Sequence, residues 1–407
     1  MTMVMTKDVL FSLTKGGYAP QEEMLEVARK KGKLYIGIPK EMAYQENRVP
    51  LVPDAVALLT NHGHRIVIEA GAGSAAHFED TDYSEAGAEI VYSAQDVFKA
   101  DIILKIAPPT LEEIELMQTR QTLFSALQLT VQPEDFLKKL IAKKLNCVAF
   151  DLITDDAGIY PVIRAMGEIA GGTSILVAAE LLSNANNGVG AILGGISGIS
   201  PTEVVIIGAG TVGEFAARAA LGLGATVKVF DNSTSRLRRL QNQLGTRIFT
   251  SVIVPKVLEK HLKSADVAIG ALRAQKGRTP CIVSENMVAE MKTGSVIIDV
   301  SIDQGGVFET SEVTNHTRPV FRKHGVVHYC VPNIPSRVAR TASYAFSNIF
   351  QQILISMGDE GGFDSLVRKD VGVRTGVYMY NGILTNQFLG ESFNLPFKDI
   401  NLIMAAM

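Results

Sequence analysis

A chain of 407 residues, 47% hydrophobic and 20% charged, is long enough for two domains and has the balance of an ordinary globular protein. Its net charge of −3 leaves no basic footprint, which argues against a nucleic-acid partner. Cys147, Cys281 and Cys330 stand far apart with no C-x-x-C or zinc spacing, so neither a disulfide framework nor a metal is expected, and a reducing cytoplasm is the simplest setting.

Residues 1–32 read as a helical lead-in, with an exposed amphipathic stretch over 21–31. Lys7, Asp8 and Lys15 interrupt its apolar pieces, so it does not read as a signal peptide. No window of about twenty residues reads as apolar enough to span a membrane. The nearest, 188–199, is short and glycine-rich, so no membrane partner is expected. Strands are predicted over 34–38, 65–69, 101–106, 122–127 and 147–152, with helical patterns over 53–62 and 133–144 between them. Such alternation argues a parallel sheet with helices on both faces. A long helix over 162–185 crosses between domains, and 184–200 is a loop. Alternation then resumes, with strands over 204–207, 226–230, 266–270, 295–300 and 328–331 and helices over 211–223, 235–244 and 284–291. The tail returns to helix over 343–357 and 377–388. The expected class is α/β with two doubly wound domains. A Rossmann dinucleotide-binding domain, 161–340, is inserted into a Rossmann-like substrate domain made of 1–160 and 341–407.

The clearest chemistry lies at 204–213. Val204-Val205-Ile206-Ile207 is a short β-branched run of the kind buried on both faces. Gly208, Gly210 and Gly213 follow in G-x-G-x-x-G spacing, with Ala209, Thr211 and Val212 between them. The first glycine allows the tight turn, the second the approach of a pyrophosphate, and the third close packing of the helix on the strand. The free N–H groups of that helix then face the phosphates. Asp231 ends the next strand, where a carboxylate meets the adenosine ribose hydroxyls and repels a 2′-phosphate; this favours NAD over NADP, although Arg236 nearby is a group that accepts such a phosphate. Gly270 and Ala271, ending the 266–270 strand, complete the expected cofactor edge.

In doubly wound sheets, ligands bind outside the carboxyl ends of the strands. Lys40, Glu41, Glu46 and Arg48 follow the first strand, Lys105 ends the strand over 101–106, and Gln128 follows the next. In the second unit Asp299, Asp303 and Asn333 hold equivalent positions. If the two edges face each other, these groups share one cleft. Arg48 has a fork suited to a carboxylate, or it makes a surface salt bridge with Glu46 or Glu41. Lys105, among Ile102, Ile103, Leu104 and Ile106, reads as a site cation rather than a snorkelling side chain. Asp303 pairs with Lys105, orients a water, or caps the Gly305-Gly306 turn. His62, His64 and His328 read as structural, His261, His316 and His324 as exposed, and His77 sits in a glycine-alanine loop. No pair has helical metal-ligand spacing, and there is no G-x-S-x-G.

With these residues in view, the chain resembles the alanine dehydrogenase family, which is related to the soluble nucleotide-binding part of the proton-translocating transhydrogenase α subunit. The likeness runs from about Leu34 to about Asn348. It is carried by Ile36-Gly37-Ile38-Pro39-Lys40-Glu41, Glu46-Asn47-Arg48-Val49, Glu69-Ala70-Gly71-Ala72-Gly73 and Ile103-Leu104-Lys105. The glycine turn follows, then Asp299-Val300-Ser301-Ile302-Asp303-Gln304-Gly305-Gly306 and Val331-Pro332-Asn333-Ile334-Pro335-Ser336. The resemblance implies that Arg48 and Lys105 hold the substrate's carboxylate and its keto or amino group, that Asp303 lies at the reacting centre, and that Asn333 lines the nicotinamide. It implies a ribose-binding role for Asp231, with Arg236 near the adenosine. It further implies reversible oxidative deamination of L-alanine to pyruvate and ammonia with NAD, in a homohexamer. One position departs. The family's catalytic histidine, in a phrase like Leu-Phe-x-x-Leu-His-Leu, is replaced here by Gln128 in Leu123-Phe124-Ser125-Ala126-Leu127-Gln128-Leu129. Glutamine hydrogen-bonds a carbonyl or carboxylate but does not exchange a proton near pH 7. The expected catalytic set is therefore Lys105, Asp303 and Gln128, with Arg48, Lys105 and Gln128 binding substrate. Two other readings stand beside it, a transhydrogenase α-type subunit passing hydride to a partner's nucleotide and an NAD-binding protein without turnover.

Overall fold

The computed structural model describes residues 32–43, 45–128, 135–273 and 279–406; the amphipathic stretch expected over 21–31 lies outside them. Two sheets organise the described chain. The first contains β1 (Tyr35–Ile38), β2 (Arg65–Glu69), β3 (Glu89–Val91), β4 (Ile102–Leu104), β5 (Thr122–Ser125) and β6 (Asn146–Ala149), joined late in the chain by β14 (Val377–Tyr380) and β15 (Ile383–Leu384). The second contains β7 (Glu203–Ile207), β8 (Thr226–Phe230), β9 (Phe249–Ser251), β10 (Val267–Gly270), β11 (Val296–Asp299), β12 (Val320–Lys323) and β13 (Val326–Tyr329). Their orders are β15-β14-β6-β5-β4-β1-β2-β3 and β12-β13-β11-β10-β7-β8-β9. Strands β1 to β6 pair in parallel, as do β7 to β11 and β13, while β12, β14 and β15 run antiparallel to their neighbours. Strand order therefore reverses between β1 and β4 in one sheet and between β7 and β10 in the other, and each reversal opens the crevice in which such sheets bind ligands.

The central strands read as they do because they are covered on both faces. Val204 to Ile207, Val267 to Ile269 and Val296 to Ile298 are fully buried. The strands without a prediction, β3, β9 and β12, are short and partly exposed, so their residues carry little apolar signal. The helices expected over 53–62, 211–223 and 235–244 form as Pro53–Asn61, Thr211–Gly222 and Thr234–Leu244, while those over Asp80–Glu85, Leu111–Leu116 and Pro255–Leu262 carry no expectation. α1 (Pro53–Asn61) starts on a proline at its first turn. α2 (Leu111–Leu116) is closed by a capping box in which the Thr110 hydroxyl accepts from the Glu113 N–H while Glu113 reaches back.

Two features differ from expectation. The stretch 377–388, expected as helix, is the β14–β15 hairpin followed by a helix over Gln387–Phe393. The hairpin's Asn381 and Gly382 have φ of 49° and 76°, the paired left-handed conformation of a tight turn, and its strand Val-Tyr-Met-Tyr is β-branched and aromatic. The helix α3 (Pro161–Leu182) is long and apolar enough by composition to cross a membrane, contrary to the reading of the bare sequence. In the fold it is a connecting helix with Ile175, Val177, Ala178 and Leu182 buried against the second core, packed on α4 (Thr211–Gly222) and on α5 (Ala339–Asp359).

Candidate active site

The second sheet's edge is built from backbone. After β7 the chain turns at Gly208, whose φ of 119° suits only glycine and whose added Cβ would lie 2.3 Å from the Ala271 carbonyl oxygen at the end of β10. A Cβ on Gly213 would lie 1.9 Å from the Gly208 carbonyl oxygen, so helix and turn touch directly. Gly210 differs: nothing lies within 4 Å of its added Cβ. That open space, at an N-cap with no side-chain cap, leaves the first N–H groups of α4 facing outward, and a pyrophosphate fits there. Asp231 is buried at the tip of β8, accepting from the Ala209 N–H at 2.8 Å and the Ser233 N–H at 2.7 Å, with the Arg236 guanidinium 3.8 Å away. These residues fit a dinucleotide.

Asp299 and Asp303 part company. Asp299 is fully buried and accepts from the Val307 N–H at 2.8 Å, the Ser301 N–H at 3.1 Å and the Ser311 hydroxyl at 2.7 Å. Its expected place in the cleft is thus corrected: it ties its own loop together, and a Cβ on Gly270 would press on it at 2.8 Å. Asp303 is exposed on one side and crowded by protein on the others. Desolvation on the crowded sides pushes its carboxyl up to about 6, against hydrogen bonds from backbone at Asp303 and Gln304 and the charge of Arg273. Water on the open side tempers that rise.

The first sheet's edge is built from charged side chains. Lys105 follows β4, and its Nζ is fully buried between two carboxylates, Glu113 at 2.8 Å to each oxygen and Glu41 at 3.5 Å. Burial by itself lowers the ammonium's pKa, but Glu41 and Glu113 outweigh it and hold Lys105 above its usual range. Lys105 is therefore a standing positive charge. Asp303 is not among its partners. Arg48 does pair with Glu46, yet not at the surface: both are buried, with Nε and Nη2 on the carboxylate at 2.7 and 2.6 Å. Burial raises the Glu46 pKa, and the Arg48 charge more than reverses this, leaving it below the usual carboxylate range. The side-on pairing leaves Arg48 Nη1 against only the Met166 sulfur at 3.3 Å, with the guanidinium 5.2 Å from the Phe346 ring centre. A carboxylate approaching that side meets an ordered donor. Gln128 ends β5's extension, exposed, with φ of 40°.

The two edges meet. Asn333, after β13, donates to Glu46 at 3.0 Å; Ser336 accepts from the Asn47 N–H at 2.8 Å; Gln45 donates to Thr317 at 2.7 Å. Asn333 is thereby linked to Arg48 through Glu46, and its carbonyl oxygen faces His316 Nε2 at 2.9 Å, which makes His316 partly buried instead of exposed. A pocket of about 460 Å³ beside this junction is lined by Asn47, His77, His316, Ser336, Arg337 and Arg340, and includes neither Lys105, Gln128 nor Asp303.

Comparison with known proteins agrees with this geometry. The alanine dehydrogenase/PNT family models match residues 37–170 for the N-terminal domain and 174–387 for the C-terminal domain. The chain belongs to the alanine dehydrogenase/PNT family. It is 38% identical over 366 residues to alanine dehydrogenase 2 of Staphylococcus aureus, covering 90% of this chain and 98% of that one. A solved L-alanine dehydrogenase superposes with a TM-score of 0.83 at 36% identity, over 88% of this chain and 99% of the other. A transhydrogenase from Sinorhizobium meliloti shares the fold, with a TM-score of 0.73 at 23% identity over 87% and 99% of the two chains.

In this family member, sequence reasoning passed over Glu113 and Asp151. Glu113 is a capping-box residue by pattern, and nothing in its spacing announces that it also anchors Lys105. Asp151 follows β6, one strand from Gln128, with hydrogen bonds from backbone at Leu127 and at Asp151 itself and the charge of Arg273 nearby. Its Oδ1 is buried without a partner, and burial lifts its carboxyl.

Proposed function

We propose that this chain is an NAD-dependent alanine dehydrogenase, interconverting L-alanine with pyruvate and ammonia. The observation that carries this reading is the junction of two switch points, one offering N–H groups and Asp231, the other buried Arg48 and Lys105. Gly208 to Gly213 with Asp231 hold the cofactor, with Gly270, Ala271 and Asn333 along the same edge. NAD bound there supplies the acceptor for the hydride leaving the substrate's α-carbon. Arg48 takes the carboxylate on Nη1, Lys105 polarises the carbonyl or imine, and Gln128 orients the substrate. Asp303, with a carboxyl near 6, holds a proton or an attacking water from the cofactor side.

The chain works in the cytoplasm as a homo-oligomer, a hexamer by family likeness. Exposed Leu176, Val189, Ile192, Ile196 and Ile199 support an association surface, and light scattering in solution tests it. The activity is tested by NADH formation with the common L-amino acids, and by NADH consumption with ammonia and keto acids. Turnover centred on alanine and pyruvate is expected. NAD binding without turnover on any member of the panel would instead favour a non-catalytic binding protein.

A further inference from the structure

Charge counting in the Lys105 pocket leads beyond the roles above, though it rests on the proposed reaction. Three ionisable groups share that pocket, and their side chains are almost closed to water: Lys105 at 1% exposure, Glu41 at 5% and Glu113 at 12%. Two carboxylates and one ammonium, all ionised, would leave a net negative charge there, which desolvation opposes. One carboxyl is therefore the place where a proton resides.

Hydrogen bonding says which. Glu113 receives both its oxygens' worth of Nζ contact at 2.8 Å and the Thr110 N–H at 2.7 Å, the arrangement that favours an ionised carboxylate. Glu41 receives the Ile106 N–H on Oε1 at 2.5 Å. Its Oε2 is buried with no hydrogen-bond partner, 3.5 Å from Nζ. The charges facing it are Lys105, Glu113 and Glu46, the last already neutralised by Arg48. Desolvation foremost, with Glu46 and Glu113 adding and Lys105 and the Ile106 N–H opposing, brings its carboxyl to about 7. Lys105 has three N–H donors. Two are taken up by the Glu113 oxygens, which leaves the third for Glu41 Oε2 at 3.5 Å and, in the proposed reaction, for the substrate.

We propose that Glu41 holds the exchangeable proton of this site and trades it through Lys105, performing the proton transfer that Gln128 cannot. In the deaminating direction the carbinolamine, protonated on nitrogen, loses ammonia as the C–N bond breaks with its pair on nitrogen. The O–H pair becomes the second C=O bond. The hydroxyl proton passes to Lys105 Nζ as Nζ passes one of its own to Glu41. Lys105 is an ammonium before and after, and Glu41, ionised at the start of this step, ends it protonated. Glu41 is thus a positioning residue that works on the substrate through Lys105.

The test is Glu41→Gln, which keeps an acceptor for the Ile106 N–H. Turnover with alanine is expected to fall about 10²–10³-fold, with NADH affinity unchanged and with the ionisation near pH 7 absent from the kcat profile. Melting supplies a readout independent of turnover. A folded-state carboxyl raised to about 7 binds its proton more tightly than the unfolded chain, so its contribution to stability is lost as pH rises through 7. The wild-type Tm should decline between about pH 4.5 and 7 and level off above that, and Glu41→Gln should flatten that decline. Wild-type turnover in Glu41→Gln, or slow turnover with the same pH profile and the same decline in Tm, overturns the proposal. Should the wild type make no NADH from alanine, the substrate reading fails, and the melting comparison still decides where the proton sits.

Discussion

Both sheets place their reversal of strand order between the first and fourth strands of a parallel run, β1 and β4 in one, β7 and β10 in the other, yet the two edges are built from different materials. The β7/β10 edge offers backbone: an open Gly210, outward N–H groups and one buried carboxylate, Asp231. The β1/β4 edge offers side chains: a buried Lys105 between two glutamates whose side chains are largely shielded from water, and a buried Arg48 clasped by a buried Glu46. A pyrophosphate is large and charged and can be met by N–H dipoles at a helix end. A three-carbon acid presents only a carboxylate and one polar atom, so the protein must bring full charges to it and hold them in place beforehand. One topology supplies the location in both cases, and the residues at the strand ends decide what binds.

Removing Lys105 should separate the two edges most sharply. Lys105→Ala leaves Glu41 and Glu113 facing each other in a buried pocket, a loss of about 3–5 kcal/mol for a broken buried ion pair unless protons are taken up. Turnover should disappear, while fluorescence titration gives near wild-type NADH affinity. Substantial residual turnover would mean that the β1/β4 edge is not the reacting one. Next in size is Gly213→Val, whose Cβ falls on the Gly208 carbonyl. NADH binding should be lost together with about 1–3 kcal/mol of stability in denaturant unfolding. Gly210→Ala sharpens the same point, since space is free there in the protein alone. Its stability should change by no more than about 1 kcal/mol, and its NADH affinity should fall about tenfold, or about 1.4 kcal/mol; unchanged affinity would place the phosphates elsewhere.

Asp303→Asn carries a smaller, pH-dependent effect. With its carboxyl raised to about 6, the folded state holds that proton more tightly than the unfolded chain, so Asp303 costs stability as pH rises through 6. The variant should melt slightly above wild type at pH 8 and level with it at pH 4. The smallest effect is expected from Gln128→His. If Glu41 and Asp303 already handle the protons, a histidine adds less than about tenfold to turnover with alanine. A much larger gain would show that the site was waiting for its histidine.

The sequence exposed some parts of this molecule and hid others for identifiable reasons. Central strands such as Val204–Ile207 were legible because burial on both faces demands an uninterrupted apolar run. The β14–β15 hairpin was not, because Val377-Tyr378-Met379-Tyr380 is short and apolar and reads equally as helix until Asn381-Gly382 is recognised as a turn. Lys105 stood out as a cation in an apolar strand. Glu113 did not, because its spacing from Thr110 already has a local explanation. Asp299 looked like a cleft residue by its position after β11, and only its four hydrogen-bonding neighbours reveal it as internal scaffolding.

By itself the sequence determined the two doubly wound units, the glycine turn with Asp231, and the positions of Arg48, Lys105, Gln128 and Asp303 at strand ends, because periodicity and turn chemistry are local properties of the chain. The partners of those charges were decided only by tertiary structure. Glu113 reaches Lys105 from a helix cap, Asn333 reaches Glu46 from the other sheet, and Glu41 is left with one buried oxygen, Oε2, that has no hydrogen bond. A charge's protonation depends on what surrounds it in space, and desolvation and opposing charges act through distances that chain order does not encode.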